Sequence, residues 1–247
     1  MTPRYRFPTE MLLRLALSWL LLRPRRFRAD ALACISALSP APRVDGHEYI
    51  PVSGGYVLAF NHYYRPAFGT WWLVMALAAA LPGDAHLVMT GELTRWFPPF
   101  GRAFSRFALP RLARVYGFTS MPHMPPHPQE VVARARSVRQ ILGYVEKAEN
   151  PILMFAPEGR DNIPSGALMW PPSGAGRFLA LMAGKGLSIL PAAGWEQDRE
   201  LRIRFGPAYL LEIPKKCSND EKDRLASQRV MRSIAELLPE NLRGDFA

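Results

Sequence analysis

The chain has little cysteine: Cys34 and Cys217 are the only two in 247 residues. They stand far apart without metal-ligand spacing, so no disulfide framework or thiolate metal site organises the fold, and a reducing, cytoplasmic setting is expected. An apolar run of membrane-spanning length is also missing from the N-terminal region. The run at residues 11–22 has Arg14 inside it, whereas a span needs about 20 apolar residues. Arg23, Arg25, Arg26 and Arg28 follow that run, where a signal peptide would place a small-residue cleavage site, which argues against one. Acidic residues are scarce, 21 against 31 lysines and arginines, for a formal charge of +10. Such a surplus calls for an anionic partner, either nucleic acid or anionic lipid. Basic residues interleaved with exposed aromatics are absent, as is any nucleic-acid module, so lipid is expected and nucleic acid is not. The prolines number 24 but are scattered between apolar segments, and they read as boundary punctuation rather than low complexity. No metal site is expected either. His123 and His127 have the four-residue spacing of a helical pair, but Pro125 and Pro126 forbid the helix.

What is present begins with a greasy, basic-flanked helix. Residues 1–30 carry seven arginines around the apolar run, with Trp19 inside it. Its leucines suit the headgroup boundary of a bilayer while the arginines meet anionic lipid, so residues 1–42 are expected to be interfacial helices on an anionic membrane surface. Residues 43–247 then alternate short apolar strands with helices, the pattern of one α/β domain. Residues 129–149 are the clearest amphipathic helix, and residues 220–238 close the chain as another, started by Ser218 or Asn219.

Two strand exits carry the chemistry. Residues 56–60 form a short buried strand after Gly54-Gly55, and it ends in Asn61-His62-Tyr63-Tyr64-Arg65-Pro66. His62 thus stands where open α/β sheets bind ligands, and imidazole exchanges a proton near neutral pH. Far downstream, residues 151–155 deliver Ala156-Pro157-Glu158-Gly159-Arg160 at a second exit. Gly159 permits close backbone approach, and Arg160 presents a planar set of donors suited to phosphate or carboxylate. The two exits are expected to face one cleft.

Asn61-His62 and Phe155-Ala156-Pro157-Glu158-Gly159-Arg160 together resemble the glycerolipid acyltransferases typified by 1-acylglycerol-3-phosphate acyltransferase. Their first motif is Asn-His, four residues, then Asp. Their third is Phe-Pro-Glu-Gly, then Thr or Ser, then Arg. The likeness extends over residues 50–213, with a short strand near Gly117 as second motif and the Pro-bearing strand at residues 188–193 as fourth. It implies a mixed, partly parallel central sheet flanked by helices, and acyl transfer from acyl-CoA or acyl carrier protein to a hydroxyl of a lysophospholipid or glycerolipid, with no cofactor beyond that co-substrate. His62 would be the general base. Asn61, Arg65, Glu158, Gly159 and Arg160 would bind the acceptor, while the helix at residues 67–81 and the loop at residues 96–100 would take the acyl chain. Cysteine usage and the N-terminal basic, apolar helix together lead to the expectation of a peripheral protein on the cytoplasmic face of a membrane. Five departures stand out. Ala67 occupies the position of the first motif's Asp, Pro122-His123 replace the second motif's Arg, and in the third motif Ala156 replaces the Phe, Arg160 stands for Thr or Ser and Asp161 for Arg. Without the orienting carboxylate, either Tyr63, Tyr64, Asp84 or Glu92 must hold the imidazole, or the protein binds lipid without turnover.

Overall fold

The structure, a computed structural model, describes residues 5–66, 68–91, 100–122, 128–163, 165–214 and 216–247. Two helices come first, α1 (Thr9–Leu21) and α2 (Phe27–Ile35), then strand β1 (Arg43–Asp45) and strand β2 (Tyr56–Phe60). Helix α3 (Thr70–Ala80) leads to β3 (His86–Thr90), α4 (Phe100–Tyr116), β4 (Thr119–Met121) and α5 (Val131–Lys147). The chain continues through β5 (Ile152–Phe155), α6 (Ala175–Gly184), β6 (Ser188–Gln197), β7 (Glu200–Phe205) and α7 (Asn219–Ala235). Ser218 caps α7, its hydroxyl accepting from the Glu221 amide at 3.1 Å.

The strands form one seven-stranded sheet in the order β1-β7-β6-β2-β5-β3-β4. All neighbours run parallel except β6 and β7, which are antiparallel. This is the single α/β domain that the alternation of strands and helices calls for, with the mixed, mostly parallel sheet that the resemblance implies. The central strands are covered on both faces, which is why they read as unbroken apolar runs rather than alternating ones: all five residues of β2 are buried, as are Ile189, Leu190, Ala192 and Ala193 of β6. Because β2 and β5 pair in parallel with Ala59 opposite Phe155, their exits come out side by side at one sheet edge.

Helix α3 is apolar all round, and residues 72–78 are buried without exception. It lies under α2, and Tyr5 and Phe7 of the N-terminal segment close over Trp72 with ring centroids 5.3 and 4.8 Å away. The helix is therefore core, covered by protein, and not the open acyl-chain wall expected of it. The rest of that expected wall, residues 96–99, lies outside the described residues. On the other flank, Gly176 brings α6 against α7. A Cβ there would fall 2.0 Å from the Asp223 carbonyl oxygen, so only glycine allows the approach.

Residues 5–42 share this core: Met11, Phe27, Ala31, Cys34 and Leu38 are all buried in it. Arg25 holds Asp30 in a bidentate pair, and the Tyr116 hydroxyl donates to the same carboxylate at 2.8 Å, tying α2 to α4. The outer face of α1 is different. Leu13 is 67% exposed and Leu17 54%, and Leu20 and Leu21 are exposed, as are Phe104 and Phe107 of α4. Trp19 turns inward, donating to the Ala108 carbonyl at 3.2 Å with its ring edge-on to Phe107. Among the described residues no helix is long and apolar enough to cross a membrane.

Candidate active site

The β2 exit is held by its own polar residue. Asn61 is 1% exposed, and its amide donates to the Gly194 carbonyl at 3.0 Å while its carbonyl accepts from the Gly194 N–H at 2.8 Å. Those two bonds extend the β2–β6 ladder past its last paired residues. Asn61 was expected to contact substrate; it cross-links two strands instead, and its burial keeps it off any ligand. Gly194 is glycine for a packing reason, since a Cβ would lie 2.0 Å from Leu73 of α3.

His62 follows immediately, and its backbone N–H donates to Glu158 Oε2 at 2.7 Å. The other oxygen of Glu158 accepts the Met169 N–H at 3.0 Å. The two strand exits thus meet, with the Glu158 carboxyl between them. Glu158 is fully buried, and burial pushes its carboxyl up to about 7 from an ordinary 4.5, against the opposing pull of His62 and the two amide donors. It supports the main chain of His62 and has no face left for an acceptor head group, contrary to the role first expected of it.

The turn after Glu158 is tight. The Gly159 N–H donates to the Ala156 carbonyl at 3.2 Å, and Gly159 has φ 63°, the left-handed region that glycine enters without strain. Arg160 then points outward. It is exposed, its Nε lies 3.4 Å from Met169 Sδ, and among the described residues no carboxylate pairs with it. Asp161 turns back toward the β2 exit: its Oδ1 is 3.3 Å from His62 Nδ1 and accepts from Thr70 Oγ1 at 2.8 Å. The loop is pressed against the first exit at Gly166, where a Cβ would sit 2.3 Å from the Tyr64 carbonyl oxygen.

Arg65 has another task. It pairs with Glu196 of β6, whose carboxylate also accepts from Tyr5 Oη at 2.5 Å, and its guanidinium lies 5.9 Å from the Tyr5 ring and 5.8 Å from Phe68. Expected among the acceptor ligands, Arg65 fastens the turn to β6 and to the N-terminal segment. Of the groups considered as partners for the imidazole, Asp84 pairs with Arg26 at 3.0 Å and Tyr63 packs on Phe68. Ala67 and Glu92 lie outside the described residues, as do His123 and His127. Among the described residues no cluster of His, Cys, Asp and Glu has a metal-binding arrangement.

The residue that sequence reasoning missed is Asp161. A signal for it existed: the sequence departs from the acyltransferase pattern by a missing carboxylate at position 67 and by an added one at position 161. The two departures are complementary only once the exits are known to touch.

No family model matches the chain, and no curated protein does. Among solved structures it is similar to the 1-acyl-sn-glycerophosphate (LPA) acyltransferase PlsC from Thermotoga maritima, with TM-score 0.52 and 15% identity over 91% of this chain and 87% of that one. At that identity the likeness is one of fold: this chain shares the architecture of that structure.

Proposed function

We propose that this protein transfers an acyl group from a thioester, acyl-CoA or acyl carrier protein, to a hydroxyl of a lysophospholipid or related glycerolipid, with His62 as general base. The observation that carries this reading is the His62 ring itself. It stands at the sheet edge with Nδ1 turned to a carboxylate, which leaves Nε2 for a substrate hydroxyl. The acceptor hydroxyl gives its proton to Nε2 as its oxygen attacks the thioester carbonyl. A C–O bond forms, the C–S bond breaks, and the departing thiolate takes the same proton from Nε2. No covalent enzyme intermediate is needed. The exposed guanidinium of Arg160, a short turn away, suits the phosphate of the acceptor or donor. The architecture shared with the LPA acyltransferase from Thermotoga maritima supports the same class of reaction.

Peripheral attachment to the cytoplasmic face of a membrane belongs to this reading. Helices α1 and α4 are fastened together and leave leucines of the one and Phe104 and Phe107 of the other exposed on a chain of charge +10, the combination that an anionic lipid interface attracts.

Transfer of a radiolabelled acyl group to a lysophospholipid in anionic vesicles tests the proposal, with acyl-CoA and acyl carrier protein as alternative donors. Wild-type protein is expected to form diacyl product and His62→Ala to lose on the order of 10³-fold or more in rate. Full activity in His62→Ala would overturn the role of His62. Saturable binding of lysophospholipid without product from either donor would replace catalysis with lipid binding.

A further inference from the structure

We propose that Asp161 is the positioning residue of the His62 imidazole, supplying from the second strand exit the carboxylate that the sequence lacks at position 67. The proposal rests on the reading of His62 as general base and deepens it. Ionised carboxylate oxygens only accept hydrogen bonds. With Asp161 Oδ1 3.3 Å from Nδ1, the neutral ring must carry its hydrogen on Nδ1, and the lone pair is then on Nε2, the nitrogen a hydroxyl substrate has to meet. The carboxylate is itself held: Thr70 Oγ1, in the first turn of α3, donates to the same oxygen at 2.8 Å.

One turn therefore grips the base twice. Glu158 takes the backbone N–H of His62 at 2.7 Å, and three residues later Asp161 takes the ring. Glycine at position 159, with φ 63°, reverses the chain between the two grips. The His62 and Asp161 side chains are 22% and 37% exposed, so the pair is open enough for a substrate while its Nδ1 side is occupied. During transfer the proton moves only at Nε2. The Nδ1 hydrogen stays on the ring, and Asp161 remains ionised beside the imidazolium that forms, lowering the energy of the charged state.

Asp161→Asn keeps the shape and removes the charge, and the asparagine amide favours the wrong tautomer by turning its NH₂ to the ring. Its kcat is expected to fall on the order of 10²- to 10⁴-fold with KM for both substrates little changed. Thr70→Val, which removes one hydrogen-bond donor from the carboxylate and leaves the carboxylate in place, is expected to cost about five- to tenfold. Adding Asp161→Asn to His62→Ala should produce no further loss, because the carboxylate acts only through the ring. A second readout does not depend on turnover. In ¹⁵N-histidine spectra, His62, assigned by its absence in His62→Ala, should show the Nδ1–H tautomer in wild type and lose that preference in Asp161→Asn. A kcat in Asp161→Asn within about twofold of wild type overturns the proposal, and so does an unchanged tautomer. If wild-type protein transfers no acyl group, the acyltransferase reading fails by itself; the spectra then decide the His62–Asp161 pairing alone.

Discussion

At the residue scale, Glu158 combines opposing demands. Its two oxygens satisfy two backbone amides, which favours the carboxylate, while full burial favours the acid and raises the carboxyl to about 7. The native state therefore holds a proton that the unfolded chain has released between about pH 4.5 and 7. Stability from this group is present below about 4.5 and is lost as pH rises through 7. In Glu158→Gln, denaturant unfolding should show a flatter decline of stability over that window than wild type. The glutamine carbonyl can accept only one of the two amides while its NH₂ opposes the other, so the main chain of His62 shifts. Loss of kcat on the order of 10²-fold is expected from a displacement of about 1 Å. Equal pH slopes in the two proteins would show that the carboxyl titrates normally.

At the element scale, α1 serves two surfaces. Its inner side is fastened to α4 by Trp19 and by Arg111, which donates to the Trp19 carbonyl at 2.7 Å and the Leu20 carbonyl at 2.6 Å. Its outer leucines are exposed. Leu13→Asp and Leu17→Asp should each leave unfolding within about 0.5 kcal/mol of wild type, yet lower partitioning onto anionic vesicles at least about tenfold, the burial of one leucine being worth about 1.5–3 kcal/mol. Cosedimentation measures this, and unchanged binding in the double variant would remove α1 from the contact. Deleting residues 1–28 is a poorer experiment. It strips buried Met11 and Phe27 from the core and takes Arg25 from Asp30, so loss of binding would be confounded with loss of fold.

At the scale of the whole molecule, the site exists because β2 lies between β5 and β6. From β5 comes the loop that carries Glu158 and Asp161. To β6 belong Gly194 and Glu196, which hold Asn61 and Arg65 on either side of His62. Asn61→Ala removes both bonds to Gly194 and leaves a buried N–H and C=O without partners, for a cost of about 2–4 kcal/mol. The melting temperature should fall by roughly 5–15 °C in a chain of this size, and activity should fall with it. His62→Ala, by contrast, should lose activity at unchanged melting temperature. Thermal scans of the two variants distinguish a residue that builds the site from one that works in it, and an unperturbed melt in Asn61→Ala would contradict the structural role given to it.

The sequence by itself determined the elements and where the chemistry would emerge. Unbroken apolar runs bounded by Gly54-Gly55 and by Pro151 mark β2 and β5, and His62 and Glu158 come two and three residues after the last residue of each strand, because strand formation and chain reversal depend on neighbours along the chain. Tertiary structure alone decided what each polar residue at those exits does. Asn61, Arg65 and Glu158 look alike in sequence whether they face a ligand or a neighbouring strand, and only the parallel register of β2 with β5 and β6 turned them to Gly194, Glu196 and the His62 amide. The same register brought Asp161 to a ring 99 residues away in the chain. No local pattern encodes such a contact, since its geometry comes from the pairing of strands and the packing of α3 beneath them.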